Sequence, residues 1–306
     1  MKIATTTEDF VDYFGKQEDR VKALYDAGFR YIDLSLYNVG DMNYFMGEDW
    51  QEKADRLLDF AYSLGMKFVQ SHAPGKYGNP AVFDDNYDTV VKTTIRAIEV
   101  CERLGIENTV VHTGRFVEAQ YDLEGKKLCF ERNAKFIRDL IDTMEKTNVN
   151  VLVENGYLIE DNAFTLVTGA EMKEFIEYVN HPLLHACWDT GHANIAGVDQ
   201  YKQIIDLGDD LRALHINDNS SRGDEHTLPY TASVNMDSIM CGLIDSGYKG
   251  YFTFESGYTL RNHYIRRTFD KDTRLFKTPL CLQQDVEKLF YKTGKYILDA
   301  YDCFEE

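Results

Sequence analysis

The chain has 306 residues, 44% apolar and 13% aromatic, so it can bury a large core and does not belong to the disordered class. Its 51 acidic and 33 basic residues give a formal net charge of −18, which disfavours nucleic acid as a partner. No apolar stretch is long enough for a transmembrane helix, and the opening residues show no signal-peptide pattern. The six cysteines are widely spaced without a CxxC motif and are expected to be reduced, so we expect a cytoplasmic protein.

Short β-branched or aromatic segments alternate with longer segments of helical periodicity. In chain order, strands are predicted over residues 2–6, 29–36, 67–72, 108–113, 149–154, 184–189, 211–216 and 250–255. Helices are predicted over residues 8–27, 49–65, 86–105, 129–147, 169–180, 198–208, 234–247 and 283–304. Eight strand–helix units within 306 residues are typical of a (β/α)₈ TIM barrel.

A doubly wound open sheet is the competing architecture. It requires a glycine-rich phosphate loop after the first strand, but this strand is followed by TTTEDF. No linker or low-complexity segment divides the chain. We therefore expect one α/β domain over residues 1–306, a single TIM barrel with a long loop after strand 8 and a C-terminal helix.

Six successive predicted strands end in a carboxylate or an imidazole. In a TIM barrel the carboxyl ends of the strands carry the active site, so these side chains are expected at one rim. Taken alone, each has an ordinary structural explanation; an aspartate, for example, often caps a helix. Taken together, they predict a site for one divalent ion, Mn²⁺, Co²⁺, Zn²⁺ or Mg²⁺, rather than for a thiolate-bound metal. The strand-end residues are His72, His112, Glu154, Asp189, His215 and Glu255.

Three motifs carry a resemblance to a known family. DTGH (189–192), HINDN (215–219) followed by DEH (224–226), and GYKGYFTFES (247–256) resemble motifs of the xylose-isomerase-like TIM-barrel superfamily, especially its sugar-phosphate isomerase/epimerase branch. The resemblance extends over residues 20–258. It implies a metal-dependent sugar isomerase or epimerase of carbohydrate metabolism whose central metal is held by Glu154, Asp189, His215 and Glu255.

The sequence departs from this family in one loop. Sugar-type members usually continue with a P-G-x-G turn, whereas this chain reads LPYTASVNMD. Tyr230 and Ala232 therefore occupy the positions of the two glycines, so the loop is bulkier.

An isomerase or epimerase removes a proton from a carbon next to a carbonyl, and a bound metal stabilises the resulting enediolate. We expect Glu154 and Glu255, from strands 5 and 8, to be the acid/base pair as well as metal ligands. His192 is expected to bind a substrate hydroxyl or to shuttle a proton. The basic segment 261–277 is expected to bind an anionic group of the substrate or a partner subunit, unless it is a solvated lid. The further expected substrate-binding residues are His72, His112, Asp224, His226 and Arg266.

Other functions remain open on the sequence alone. The same proton abstraction can lead to β-elimination, as in a lyase or dehydratase acting on a keto-sugar or an inositol derivative. A non-catalytic sugar- or metal-binding barrel would be expected to lack part of the metal set, which is complete here. The sugar, its phosphorylation and a possible homo-oligomer are not determined.

The superfamily also contains apurinic endonucleases with three zinc ions, which would imply up to three zinc ions here. The net charge of −18 argues against this phosphodiesterase reading, because phosphate contacts need a basic surface. The nine ligand positions nevertheless match in residue type at His72, His112, Glu154, Asp189, His192, His215, Asp224, His226 and Glu255.

Overall fold

In the computed structural model, which describes residues 1–158, 162–260 and 278–306, eight parallel strands form one sheet. The strand order is β7-β6-β5-β4-β3-β2-β1-β8, and a parallel bridge between Ile216 and Phe254 joins its two ends. This nearly closed sheet confirms the predicted α/β barrel. The strands are β1 (Lys2–Thr6), β2 (Tyr31–Ser35), β3 (Lys67–His72), β4 (Asn108–Val111), β5 (Asn150–Glu154), β6 (Leu184–Asp189), β7 (Leu211–His215) and β8 (Tyr251–Phe254).

Helices surround the barrel, and α10 confirms the predicted C-terminal helix. Residues 261–277, the predicted long loop with Arg266, lie outside the described residues. None of the described helices combines the length and apolar composition that a membrane span requires. The helices are α1 (Gln17–Ala27), α2 (Val39–Tyr44), α3 (Trp50–Ser63), α4 (Tyr87–Leu104), α5 (Leu123–Thr147), α6 (Gly169–Val179), α7 (Thr190–Ala196), α8 (Gln200–Leu207), α9 (Met236–Asp245) and α10 (Leu280–Ala300).

The predicted helix over residues 8–27 is wrong in its first half. Residues Thr7–Phe10 form a short 3₁₀ helix whose N-cap, Thr6, accepts a hydrogen bond from the backbone of Glu8. The helix α1 begins only at Gln17. Both segments bury apolar side chains in the same core, so the apolar periodicity continues across the break and hides it.

A small apolar cluster fills the barrel interior beneath the rim. Val110, Leu152, Cys187 and Ala213 form it, one from each of β4 to β7. A larger cluster packs between the strands and the helices. On the side of β4 to β7, the polar rim therefore rests on apolar side chains. All six cysteines lie in the described residues, and none of them forms a disulfide there.

Candidate functional site

A pocket of about 250 Å³ opens at the carboxyl ends of the strands. The structure brings all the predicted site residues together here, except Arg266, which lies outside the described residues. Asp189 and His215 are fully buried and approach the pocket residues from within the barrel. The predicted residues that line the pocket are His72, His112, Glu154, His192, Asp224, His226 and Glu255.

The residues predicted to bind the metal meet in one group. Each of Glu154, Asp189, His215 and Glu255 offers a ligand atom, and these atoms all lie within 4.8 Å of one another. His215 Nδ1 lies 3.0 Å from Glu154 Oε1 and 3.4 Å from Glu255 Oε2. The parallel register of β6 and β7 sets Asp189 directly beside His215. Three carboxylates and one imidazole are a donor set that suits a divalent ion.

Asp189 caps a helix while its carboxylate belongs to this group. Its Oδ1 accepts a hydrogen bond of 2.6 Å from the backbone N–H of His192, which makes Asp189 the N-cap of α7. Its Oδ2 accepts a hydrogen bond of 2.8 Å from Asn217 Nδ2. The structural explanation considered for Asp189 is thus correct. The two hydrogen bonds also fix the orientation of the carboxylate within the group.

A second group consists of His72, His112 and Glu154. His72 Nδ1 donates a hydrogen bond of 2.8 Å to the Ala73 carbonyl, so Nε2 carries the lone pair of the neutral ring. This Nε2 faces His112 Nε2 at 3.1 Å and Glu154 Oε2 at 3.8 Å. Burial, together with His112, lowers the pKa of His72 to about 3, which keeps the ring neutral. Glu154 is shared between this group and the first.

A third group joins the two histidines beyond β6 and β7. His192 and His226 anchor their Nδ1 atoms on backbone carbonyls, those of Asn155 at 2.8 Å and Glu255 at 3.0 Å. Their Nε2 atoms lie 3.4 Å and 3.1 Å from Asp224 Oδ2. The anchored Nδ1 atoms direct both Nε2 atoms at one carboxylate oxygen.

The two glutamates of the first group have opposite electrostatic environments. Burial raises the pKa of Glu154, but the His215 and His112 imidazoles outweigh it and hold this pKa well below its usual range. Burial raises the pKa of Glu255 to about 8, although His215 and His226 oppose it. Without a bound cation, Glu154 is therefore ionised at neutral pH and Glu255 is largely protonated. Such divergence between two carboxyl groups is typical of acid/base sites.

A buried atom without a hydrogen bond indicates where a cation fits. Glu154 Oε2 is buried and accepts no well-directed hydrogen bond, although His112 Nε2 lies 2.9 Å away. A buried carboxylate oxygen without a well-directed hydrogen bond is costly, and a cation would complete its coordination. The residues present therefore fit a divalent metal at Glu154.

Four further residues at or below the pocket were not singled out from the sequence. Glu8, Tyr37 and Lys76 line the pocket and follow β1, β2 and β3, so the strand-end argument could have included them. Loops after strands often contain charged and aromatic residues, so their residue types did not distinguish them. Asp33 is a buried charge inside β2, and its position between apolar neighbours was an available signal.

The chain matches a known family model and resembles solved structures. A family model described as a xylose isomerase-like TIM barrel matches residues 21–271. A solved D-tagatose 3-epimerase-like protein superposes with a TM-score of 0.74 at 16% identity, covering 98% of this chain and 100% of that one. A D-psicose 3-epimerase crystallised with D-fructose gives a TM-score of 0.73 at 16% identity, covering 97% and 99%. At these identities the superpositions establish the fold.

Curated relatives match part of the chain. A ketose 3-epimerase of Arthrobacter globiformis is 37% identical over 109 residues, 36% of this chain and 35% of that protein. The fructoselysine 3-epimerase of Escherichia coli O157:H7 is 26% identical over 124 residues, 40% of this chain and 44% of that protein. The uncharacterized protein MJ1311 of Methanocaldococcus jannaschii is 24% identical over 188 residues, 60% of this chain and 63% of that protein. The chain thus spans less than two thirds of each of these relatives.

Proposed function

The chain belongs to the xylose isomerase-like TIM-barrel family, and from this premise we propose that it is a divalent-metal-dependent sugar epimerase acting on a ketose. The observation that carries the proposal is the group of Glu154, Asp189, His215 and Glu255 at the floor of an open pocket, in which all but Glu255 are buried. Two relatives that match part of the chain are a ketose 3-epimerase and a fructoselysine 3-epimerase, which favours epimerisation over isomerisation.

The same four residues would hold the metal. When bound, such an ion supplies a Lewis acid that polarises a substrate carbonyl and makes the neighbouring C–H more acidic. Asp189 and His215 serve as ligands only, because the Asp189 oxygens are occupied by the α7 cap and Asn217, and His215 is fully buried.

Glu154 and Glu255 move the proton. Glu154, ionised and at the pocket floor, accepts the proton from the carbon beside the carbonyl. Glu255 comes from the end of β8, three strands away in the barrel, and donates a proton from another side of the substrate. Removal at one face and return at the other inverts that carbon. His192, whose Nδ1 is fixed on the Asn155 carbonyl, presents its Nε2 to a substrate hydroxyl.

The experiment that tests the proposal is epimerisation in D₂O. Metal-loaded protein is incubated with D-psicose, D-tagatose or L-ribulose, and the products are analysed by NMR. We expect an epimer that carries solvent deuterium at the inverted carbon. Glu154→Gln should fold normally and lower the rate about 10²–10⁴-fold, the usual loss for a general base. Glu102→Gln, on the exposed face of α4, removes the same charge and should change nothing.

The outcomes separate the reaction classes. A dehydrated product that carries solvent deuterium at the neighbouring carbon, from which the hydroxyl has left, would show β-elimination instead of epimerisation. A product without deuterium, or an unchanged rate in Glu154→Gln, would contradict the proton-transfer scheme.

A second candidate is a three-metal phosphodiesterase. The observation in its favour is the third group, in which Nδ1 anchoring directs His192 and His226 towards Asp224. The net charge of −18 opposes a DNA substrate. Cleavage of an abasic-site oligonucleotide by zinc-loaded protein would favour this candidate over the epimerase.

A further inference from the structure

One wall of the pocket contains polar groups that the proposed proton transfer does not use. Glu8, Tyr37 and Lys76 follow the neighbouring strands β1, β2 and β3, and all three line the same pocket as the metal-binding groups. We call these three residues the β1–β3 wall. Their chemistry bears on which substrates the pocket accepts.

The Glu8 carboxylate is fixed by neutral donors. Ser35 donates its hydroxyl hydrogen to Oε2, and Asn38 Nδ2 donates to Oε1 at 3.0 Å. These partners orient the carboxylate without neutralising it. Each oxygen keeps a further lone pair for a donor that enters the pocket. A fixed carboxylate of this kind accepts hydrogen bonds from hydroxyl groups and repels anions.

The wall adjoins the second group, that of His72, His112 and Glu154, through Tyr37. The Tyr37 ring meets the His72 and His112 rings edge to face, with centroid distances of 5.0 and 5.6 Å. It occupies space that only glycine permits at position 75, because a Cβ on Gly75 would lie 1.9 Å from the Tyr37 ring. Lys76 Nζ lies 4.6 Å from the centroid of the Tyr37 ring. A sugar held at the metal groups would therefore extend its far end along this wall.

Acidic side chains outnumber lysine and arginine among the described residues that line the pocket. Among the described residues that line it, Lys76 is the single lysine or arginine. A phosphate group usually needs several cationic or backbone N–H donors, and carboxylates nearby raise the cost of binding it. The acidic side chains that line the pocket are Glu8, Asp9, Glu154, Asp224 and Glu255.

We propose that Glu8 is a specificity-determining residue that binds hydroxyl groups at the end of the sugar away from the reacting carbon and selects a non-phosphorylated ketose over the corresponding sugar phosphate. This inference rests on the proposed function, which identifies the substrate as a ketose. It adds that the ketose carries no phosphate, a point that the sequence did not determine.

The test compares D-fructose with D-fructose 6-phosphate by isothermal titration of the Mn²⁺-loaded protein. The wild-type protein should bind D-fructose at least tenfold more tightly than the phosphate. Glu8→Gln removes the negative charge but keeps the shape of the side chain, and the Ser35 hydroxyl can turn to accept a hydrogen bond from the new amide. The preference for D-fructose over the phosphate should therefore fall to threefold or less. Glu102→Gln, on the exposed face of α4, is the matched charge control and should keep the wild-type preference.

A second variant, Lys76→Met, distinguishes a change in selectivity from a folding defect. It removes the ammonium group from the pocket and should increase the preference for D-fructose, whereas Glu8→Gln should decrease it. Equal or tighter binding of the phosphate by the wild-type protein, or a preference unchanged in Glu8→Gln, would overturn the proposal.

Turnover of D-fructose, followed in the same samples, separates this inference from the proposed function. A Glu8-dependent preference without any epimer would refute the epimerase and leave the selection of neutral sugars standing. Epimer formation with a preference independent of Glu8 would refute the selection alone. If neither sugar binds, both fail.

Discussion

Asp33 and His215 face each other beneath the pocket, and both are almost completely buried. His215 Nε2 lies 3.8 Å from Asp33 Oδ2, while Nδ1 points to Glu154 and Glu255. Gln70 donates a hydrogen bond of 3.3 Å to the same Asp33 oxygen. Carboxylates behind a metal-binding histidine commonly hold the ring in the tautomer that offers its other nitrogen to the ion. Asp33 is thus expected to keep Nδ1 of His215 available.

Asp33→Asn should therefore weaken metal binding. Loss of such a carboxylate typically costs 10- to 100-fold in metal affinity. Competition with a chromogenic chelator measures the affinity directly. Asp26→Asn, on the exposed surface of α1, is the matched control and should bind metal like the wild-type protein. An unchanged affinity in Asp33→Asn would show that the carboxylate does not support His215.

Among single residues, the strand-end side chains were predictable from the sequence, because a TIM barrel places the carboxyl end of every strand at the same rim. Glu154, Asp189 and His215 end their strands as predicted, and Glu255 follows β8 by one residue. The sequence did not reveal that Glu154 belongs to both the first and the second group, because this depends on the register of strands that are distant in sequence. The orientation of Asp33 towards His215 depends on the same long-range geometry.

At the scale of elements, long amphipathic helices and strands were predictable, whereas short or broken elements were not. The helices α2 and α7 have six and seven residues, too few for apolar periodicity to appear. Tyr230 adopts the left-handed conformation with φ of 69°, as the glycine of the usual turn would. The bulkier loop therefore keeps the backbone shape for which glycine is favoured.

A buried carboxyl pair lies where α10 packs against the barrel. Glu287, fully buried, faces Asp9, which accepts a hydrogen bond of 2.8 Å from Thr5. Burial, followed by the nearby Asp9 carboxylate, raises the pKa of Glu287 well above its usual range. A carboxyl group with a raised folded-state pKa stabilises the fold below its unfolded-state pKa, and this contribution is lost as pH rises towards the folded-state pKa.

Glu287→Gln should remove this pH dependence. The amide can donate to Asp9 without binding a proton, so the free energy of unfolding should exceed that of the wild-type protein at pH 8. The difference should shrink or reverse near pH 4. Urea unfolding at both pH values measures it, with the exposed Asp285→Asn as control. A Glu287→Gln protein that is less stable than wild type at pH 8 would contradict the protonated pair.

At the scale of the whole molecule, the fold and the pocket follow from one pattern. Eight strand–helix units bring residues from all parts of the chain to one rim, and the apolar cluster of β4 to β7 supports that rim. The extent of the single domain, the cytoplasmic location and the oligomeric state stay predictions. The charge preference of the pocket was not readable from the sequence, because it depends on which loop residues line the cavity.

The decisive measurement for the proposed metal site is metal content, determined by elemental analysis of protein purified without a metal-affinity column. We expect about one Mn, Co, Zn or Mg per chain, and less than a tenth of that in His215→Ala. Three zinc ions per chain would favour the phosphodiesterase and call for the abasic-site assay. The absence of bound metal after reconstitution with each of these ions would contradict the account and leave the barrel without its proposed chemistry.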